Sequence, residues 1–370
     1  MTAPRLEINL DKVRHNARML VTLLGSRGIS VSGVTKATLG LPAIAGEMLA
    51  AGVTGLADSR IENIQTMRRA AVKAHMTLIR SPMISQAALV VSNTDISFNT
   101  ELDVISELSK AAQAANRTHA VVLMVELGDL REGILPADLE TVVRRTLGFP
   151  NIAFKGIGTN LACRCGVTPD ALNMGELSTL ADAIDSTFGP IVSIVSGGNS
   201  SNLDWVIGGG HTGRVNNLRL GEAILLGCEP LHCLPIEGLY TDVMTLVAEV
   251  IEAKVKPSKP WGEIAENPFG SAVPVANTGN VRQAILALGH MDTDPEGLTP
   301  PPGYKILGSS SDHLIVDCKE QMLPVGSEVR LQPNYSALIR AMASPFVTKR
   351  IEHGTKQQEH EVLQSLEFAA

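Results

Sequence analysis

Val31-Ser-Gly-Val-Thr-Lys36-Ala37-Thr-Leu-Gly40 is an apolar, β-branched run that ends on a lysine and passes into small, turn-prone residues. Read as a buried strand over 31–35, it leaves Lys36 where the chain exits the core. In an α/β barrel that position is the catalytic rim. A lysine held there, partly desolvated, is suited to covalent capture of an aldehyde. A strand-end lysine reaching out to solvent satisfies the same stretch. The rest of the chain decides between the two.

Outward from this run, short apolar strands recur at 54–57, 76–79, 95–98, 120–127, 152–158, 190–195 and 217–220. Helix-period segments at 61–72, 101–115, 139–147 and 177–188 separate most of them. Eight strands alternating with helices predict an α/β fold of the (β/α)8, or TIM, barrel type. A doubly wound sheet fits less well, because no glycine-rich turn follows the first strand. Lys36, Arg80, Asn99, Asp129, Arg131, Asn160, Ser196 and Arg219 all fall at or just after a strand's carboxyl end. Such a ring predicts a barrel mouth that holds something polar and anionic.

Ahead of the barrel, 6–10 alternates as a strand. Asp11 then reads as the cap of a helix with an apolar face of Val13, Ala17, Leu20 and Leu24. From about residue 237 the pattern changes to long strands at 243–255, 281–288, 305–307, 313–318 and 328–331, broken by Pro- and Gly-rich stretches. The expected organisation is a barrel over 11–232, a mostly β domain over 233–353 that strand 1–10 joins, and a polar tail over 354–370.

The 370 residues are 44% hydrophobic and 19% charged, an ordinary globular composition, and carry a net charge of −7. Nothing there calls for nucleic acid or an anionic membrane as partner. No apolar run reaches transmembrane length, so the cytoplasm is the expected location. Five cysteines, an odd number, read as reduced thiols. Cys163-Arg-Cys165 and Cys228…His232-Cys233 lack the paired spacing of a zinc site, so no metal is expected.

Ser196-Gly197-Gly198-Asn199-Ser200-Ser201 follows the seventh expected barrel strand, and Asn217-Leu-Arg219-Leu-Gly221-Glu222 carries the eighth. Paired glycines let backbone amides approach an anion, and barrels favour these two loops for phosphate. Gly-Gly-Asn-Ser is equally a common surface turn. A lysine on one strand with a phosphate cradle opposite suits pyridoxal 5′-phosphate, which has an aldehyde at one end and a phosphate at the other.

With these stretches in view, the chain resembles the alanine racemase group of pyridoxal phosphate enzymes, those with a barrel and a β domain. Within it the chain is most similar to the ornithine racemase branch. Ala57-Asp-Ser-Arg60, Met124-Val-Glu-Leu-Gly-Asp-Leu-Arg-Glu-Gly133, the serine–glycine loop, Asn217–Glu222 and Ser310-Ser-Asp-His-Leu-Ile-Val-Asp317 carry the resemblance, which runs nearly from end to end. It implies that Lys36 bonds the cofactor aldehyde and that Ser196, Gly197, Gly198, Asn199, Ser200 and Gly221 surround the phosphate. Tyr335 reaches the same phosphate in the family. Arg219 faces the pyridine nitrogen, and Arg131 lies near the cofactor's phenolic oxygen and the substrate carboxylate. Arg131 is also open to a salt bridge with Asp129 or Glu132.

Three positions depart from the family pattern. Asn160 stands where alanine racemases proper have a histidine. Gly40 stands where a tyrosine usually contacts the phosphate. His290, in Leu288-Gly-His-Met-Asp292, holds the place of the tyrosine that is the second catalytic base. Histidine titrates near neutrality and tyrosine far above it, so His290 is chemically suited to the role. As a turn residue it would leave His313 or Tyr335 for that role. Asp292, Asp294, Asp312, Glu126 and Asp129 are the acidic residues available to a distal substrate ammonium, with Asp312 and His313 as substrate-side candidates.

The implied activity is racemisation of an amino acid larger than alanine, in a homodimer with shared sites. A lyase or aldolase of the same fold and a non-catalytic cofactor-binding protein are the alternatives.

Overall fold

The computed structural model describes residues 3–263, 278–319 and 323–353. The chain divides into two compact units: Leu10–Thr241, and Met1–Asn9 together with the residues from Asp242 onward. The expected tail at 354–370 lies outside the described residues.

In the second of these units β1 is Arg5–Asn9. The first unit then contributes β2 (Ser30–Val34), β3 (Gly55–Asp58), β4 (Met76–Leu78), β5 (Ile96–Asn99), β6 (His119–Met124), β7 (Ile152–Gly158), β8 (Ile194–Gly198) and β9 (Asn217–Leu220). β2 to β9 form a closed barrel, each strand parallel to its neighbours and β9 returning to β2. The helix Leu10–Gly25 buries Val13, Ala17, Leu20 and Leu24 at its apolar spacing. Each valine or leucine among them contributes about 1.5–3 kcal/mol on burial. Asp11 lies inside this helix, in its first turn, where a carboxylate complements the dipole instead of capping.

The barrel interior has two characters. On one side Ile96, Phe98, Val122 and Met124 form a buried apolar cluster. On the other, Asn217 Nδ2 donates to Ser30 Oγ at 3.2 Å and Ser32 Oγ at 3.0 Å, and Ser196 Oγ donates to Asn217 Oδ1 at 2.8 Å. A cavity of about 440 Å³ opens among the amino ends of the strands, past Ser30, Gly55 and His75, and reaches Phe98 and Arg219. It is therefore at the opposite mouth from Lys36, which follows β2.

The strand expected at 190–195 is displaced: β8 starts at Ile194 and takes in both glycines. The amides of Ile191 and Val192 are satisfied by Asp185 Oδ1 at 2.8 and 2.9 Å, which leaves them nothing to give a sheet. Likewise β6 ends at Met124 and not near 127, because Glu126 draws the amides of Gly128, Leu130 and Arg131 into a tight turn.

In the other unit β10 (Met244–Pro257), β11 (Asn280–Leu286), β12 (Leu298–Thr299), β13 (Lys305–Ser309), β14 (Leu314–Asp317) and β15 (Glu328–Pro333) run in the order β12-β15-β10-β11-β14-β13, all antiparallel. β1 pairs antiparallel with β10 and parallel with β16 (Thr348–Glu352). Glu7, 5% exposed, accepts from Arg5 at 2.8 Å and Arg330 at 2.6 Å across this sheet.

Candidate active site

Lys36 opens a single 3₁₀ turn, Lys36–Thr38, directly after β2 and Thr35. Thr35 is fully buried and donates Oγ1 to Asp58 Oδ2 at 2.7 Å, while Asp58 Oδ1 accepts from the Arg60 amide and Asn63 Nδ2. Burial raises the Asp58 carboxyl, and these hydrogen bonds act against the rise. The base of Lys36 is thus pinned to the end of β3. Its side chain is exposed, contrary to the partly desolvated lysine expected. Gly40 closes the turn at φ +66°, and a Cβ there would stand 2.6 Å from the Asn63 carbonyl oxygen. No tyrosine fits in this backbone, which accounts for that departure.

Arg219 is 4% exposed, on the inner face of β9. Its Nη1 donates to Ser196 Oγ at 2.7 Å; its Nη2 donates to Thr159 O at 2.9 Å and Asn160 Oδ1 at 3.0 Å. Phe98 lies with its ring centroid 5.2 Å from the guanidinium carbon. Burial lowers its pKa to about 10, with the Arg131 charge in the same direction, so it stays protonated at neutral pH.

The Ser196 hydroxyl, expected among phosphate ligands, is fully buried and shared between Arg219 and Asn217. The geometry gives it the task of holding Arg219. Gly197 and Gly198 are buried at the end of β8. Gly198 sits at φ +147°, where a Cβ would meet Asn202 Oδ1 at 2.1 Å. Asn199 knits the loop: Nδ2 reaches Asn160 Oδ1, Leu161 O and Cys163 Sγ, and Oδ1 accepts the Ser201 amide at 2.7 Å. Ser200 Oγ accepts the Ala223 amide at 3.2 Å, which ties this loop to the one after β9 that holds Gly221. Among the described residues four buried polar atoms lack a partner: Asn160 Nδ2 and Ser201 Oγ here, Asn99 Oδ1 at the end of β5, and Trp205 Nε1. Ser201 closes the quoted serine–glycine run but was not expected as a ligand. Nothing in residue type distinguishes it from Ser200.

Arg131 is paired with Glu132 through two contacts and not with Asp129. Asp129 instead accepts the amides of Cys163, Arg164 and Cys165, fastening the loop that follows Asn160.

Within the β unit, His290 Nε2 is 2.9 Å from Ser309 Oγ, and its amide donates to Ser310 O. His313 Nδ1 is 2.7 Å from Asp312 Oδ1, a contact that lowers the Asp312 pKa. The two loops pack closely: a Cβ on Gly289 would stand 2.4 Å from the Asp312 amide nitrogen. Tyr335 opens the helix Tyr335–Ala343, an element the strand-dominated pattern hid.

Residues 8–229 match the family described as alanine racemase, N-terminal domain. Over 352 residues the chain is 37% identical to the ornithine racemase of Acetoanaerobium sticklandii, covering 94% of this chain and 99% of that one. The chain belongs to the alanine racemase family. The lysine racemase of Thermotoga maritima is 36% identical over 354 residues, 95% of this chain and 99% of that one. An alanine racemase structure from Streptomyces lavendulae superposes with a TM-score of 0.73 at 18% identity, covering 97% of this chain and all of that one. At that identity it supports the fold alone, a barrel with a β domain. With two near-full-length relatives in this family both racemases, this chain is an amino-acid racemase.

Proposed function

We propose that this racemase works with pyridoxal 5′-phosphate, held by Lys36, on a basic amino acid of the ornithine or lysine type. The observation that carries the cofactor reading is that two of the four unpartnered buried atoms among the described residues, Asn160 Nδ2 and Ser201 Oγ, are donors in this site. Buried donors without acceptors cost about 1–3 kcal/mol each, so one on the residue that accepts from Arg219 and one in the serine–glycine loop suit an anionic group with several acceptor atoms. The barrel residues fit that group: Lys36 for the aldehyde, Ser200, Ser201, Gly197, Gly198 and Gly221 around the phosphate, and Asn160 and Arg219 along the ring; the family resemblance adds Tyr335.

When bound, the cofactor withdraws electrons from the substrate's Cα and so acidifies its proton. The chain supplies the rest. Arg219 presents a protonated donor to the ring nitrogen and keeps it from taking a proton, which limits the electron sink to what racemisation needs. Lys36 takes the Cα proton on one face and His290 serves the other. Arg131, released from Glu132, pairs with the substrate carboxylate. Racemisation here needs no net electron transfer and returns one proton for each removed.

Names of the two long relatives support a side chain ending in an ammonium. Of the acidic candidates, Glu126 and Asp129 are occupied by backbone amides, Asp294 by Ser336 Oγ, and Asp292 is buried. Asp312 Oδ1 also has partners, His313 Nδ1 and the Ser311 hydroxyl, but the residue is 65% exposed and open to a further donor, so we assign it the distal ammonium. We take the working form to be a homodimer. Among the described residues no helix is long and apolar enough to cross a membrane, and five free cysteines suit the cytoplasm. Chiral analysis of product from pure D- and L-ornithine, lysine and alanine tests the reading. Ornithine or lysine is expected to be inverted at least tenfold faster than alanine, and a preference for alanine overturns it.

A further inference from the structure

Glu222 is an acidic residue beside Lys36 to which the reaction as described gives no task. β2 and β9 pair in parallel with Ser32 level with Arg219 and Gly33 level with Leu220. The paired register ends there; past it Val34 leads through Thr35 into the Lys36 turn, and Gly221 leads directly into Glu222. The strands stay side by side past the last pair: a Cβ on Gly221 would stand 3.0 Å from both Cβ and the carbonyl oxygen of Val34. Glu222 is partly buried and opens the short helix Glu222–Leu226, whose other four residues are all buried. The Ala223 amide on Ser200 Oγ ties the same turn to the serine loop.

The charged and titratable groups that act on this carboxylate come from both elements around it. Lys36, on the turn after β2, favours its ionised form; Glu229, beyond the helix, opposes it. Glu222 in turn discourages ionisation of the Cys228 thiol. Burial is the largest influence and pushes the Glu222 carboxyl up to about 7.

We propose that Glu222 is a positioning residue that acts through Lys36, taking up the proton that the Lys36 ammonium sheds to become a free amine able to accept one from Cα, and returning it when the ammonium is restored by a route other than Cα. The bond balance is one O–H formed at Glu222 for one N–H broken at Lys36, with no net change of charge in the pair. The pair then keeps a proton at the strand end, on the side of the substrate that Lys36 serves. A permanently ionised carboxylate would instead hold Lys36 as an ammonium, and a permanently neutral one would leave the ammonium without a counter-charge. The inference rests on the reading of Lys36 as the reactive lysine.

The test is the titration of Glu222 itself, by infrared difference spectra of the full-length chain before cofactor loading. Glu222→Gln assigns the carboxyl band. The parent band is expected to titrate near pH 7, to move to higher pH in Lys36→Met, and to stay in place in Lys36→Arg, which keeps the charge. In the loaded parent, kcat/KM falls about tenfold per pH unit below 7, and Glu222→Gln flattens that limb while Lys36 remains the labelled residue. A band below pH 5.5, or one that Lys36→Met leaves unmoved, overturns the proposal. Cofactor bonded at a lysine other than Lys36 sinks the underlying reading and leaves the titration result standing.

Discussion

The Arg219 guanidinium donates to Ser196 Oγ at 2.7 Å, and the same hydroxyl passes its own proton to Asn217 Oδ1 at 2.8 Å. A polar ladder therefore runs up the inside of the barrel from Ser30 and Ser32 through Asn217 and Ser196 to Arg219, where inward-facing branched apolar residues are the rule. The ladder gives a fully desolvated cation fixed hydrogen-bond partners, so its remaining donor capacity is aimed and not mobile.

Arg219→Glu is expected to lower racemisation by about 10²-fold and to raise transamination. On the proposed reading, a carboxylate in that place would let the cofactor's ring nitrogen carry a proton, strengthen the electron sink and favour protonation away from Cα. Arg219→Lys, which keeps the charge, separates loss of chemistry from loss of fold. The measurement is the ratio of inverted product to keto acid. An unchanged ratio in Arg219→Glu would remove the role assigned to this residue.

Borohydride reduction of the loaded protein is expected to leave a pyridoxyl adduct on Lys36, the lysine at the end of β2. Peptide mapping reads the position directly. An adduct on any other lysine contradicts the site as built.

Stability on the acid side has a separate origin in the barrel wall. His119 is 1% exposed in β6, with Nε2 2.8 Å from Ser97 Oγ; burial, helped by the Arg117 charge, lowers its pKa to about 4. An unfolded imidazole titrates near ~6.5. Between those values the unfolded chain binds a proton that the folded chain does not, so stability falls as pH falls through that window. His119→Gln keeps a hydrogen-bonding side chain and cannot titrate. Urea unfolding at pH 7 and 4.5 is expected to show a loss smaller by on the order of 2–3 kcal/mol in the variant. Equal losses in both proteins would place the acid sensitivity elsewhere.

The barrel was legible because its strands are apolar runs with polar residues at one end, and Lys36, Asn160 and Arg219 mark those ends. What stayed hidden depends on register between distant segments. Glu222 reads as a surface carboxylate until β9 is laid beside β2, and Gly40 reads as a loop glycine until Asn63 is packed against it. Thr348–Glu352 was missed because it reads Thr-Lys-Arg-Ile-Glu, too charged for a buried run, and it is held by its parallel pairing to β1. The helix Tyr335–Ala343 hid for another reason: its start depends on Asn334, whose side chain accepts the Ala337 amide at 3.0 Å.

The last prediction concerns the second base. His290 sits on a loop whose backbone is fixed twice, by the His290 amide on Ser310 O at 3.1 Å and the Met291 amide on Ser311 O at 2.9 Å. Asp292 Oδ2 accepts the Gly289 amide from below, and Ser309 Oγ lies 2.9 Å from Nε2. Such a ring is oriented and not free to swing, as a proton-transfer group must be. Under the proposed two-base reaction, in which Lys36 and His290 serve opposite faces of the substrate, loss of His290 acts asymmetrically. His290→Ala is expected to retain Cα proton–deuterium exchange for the enantiomer that Lys36 deprotonates, while inversion drops by about 10²–10⁴-fold. Deuterium incorporation from each pure enantiomer, followed by chiral separation, reads both quantities in one experiment. Near-parental inversion in both directions would reduce His290 to a turn residue. The same experiment on His313→Ala and Tyr335→Phe would then decide between the other two groups.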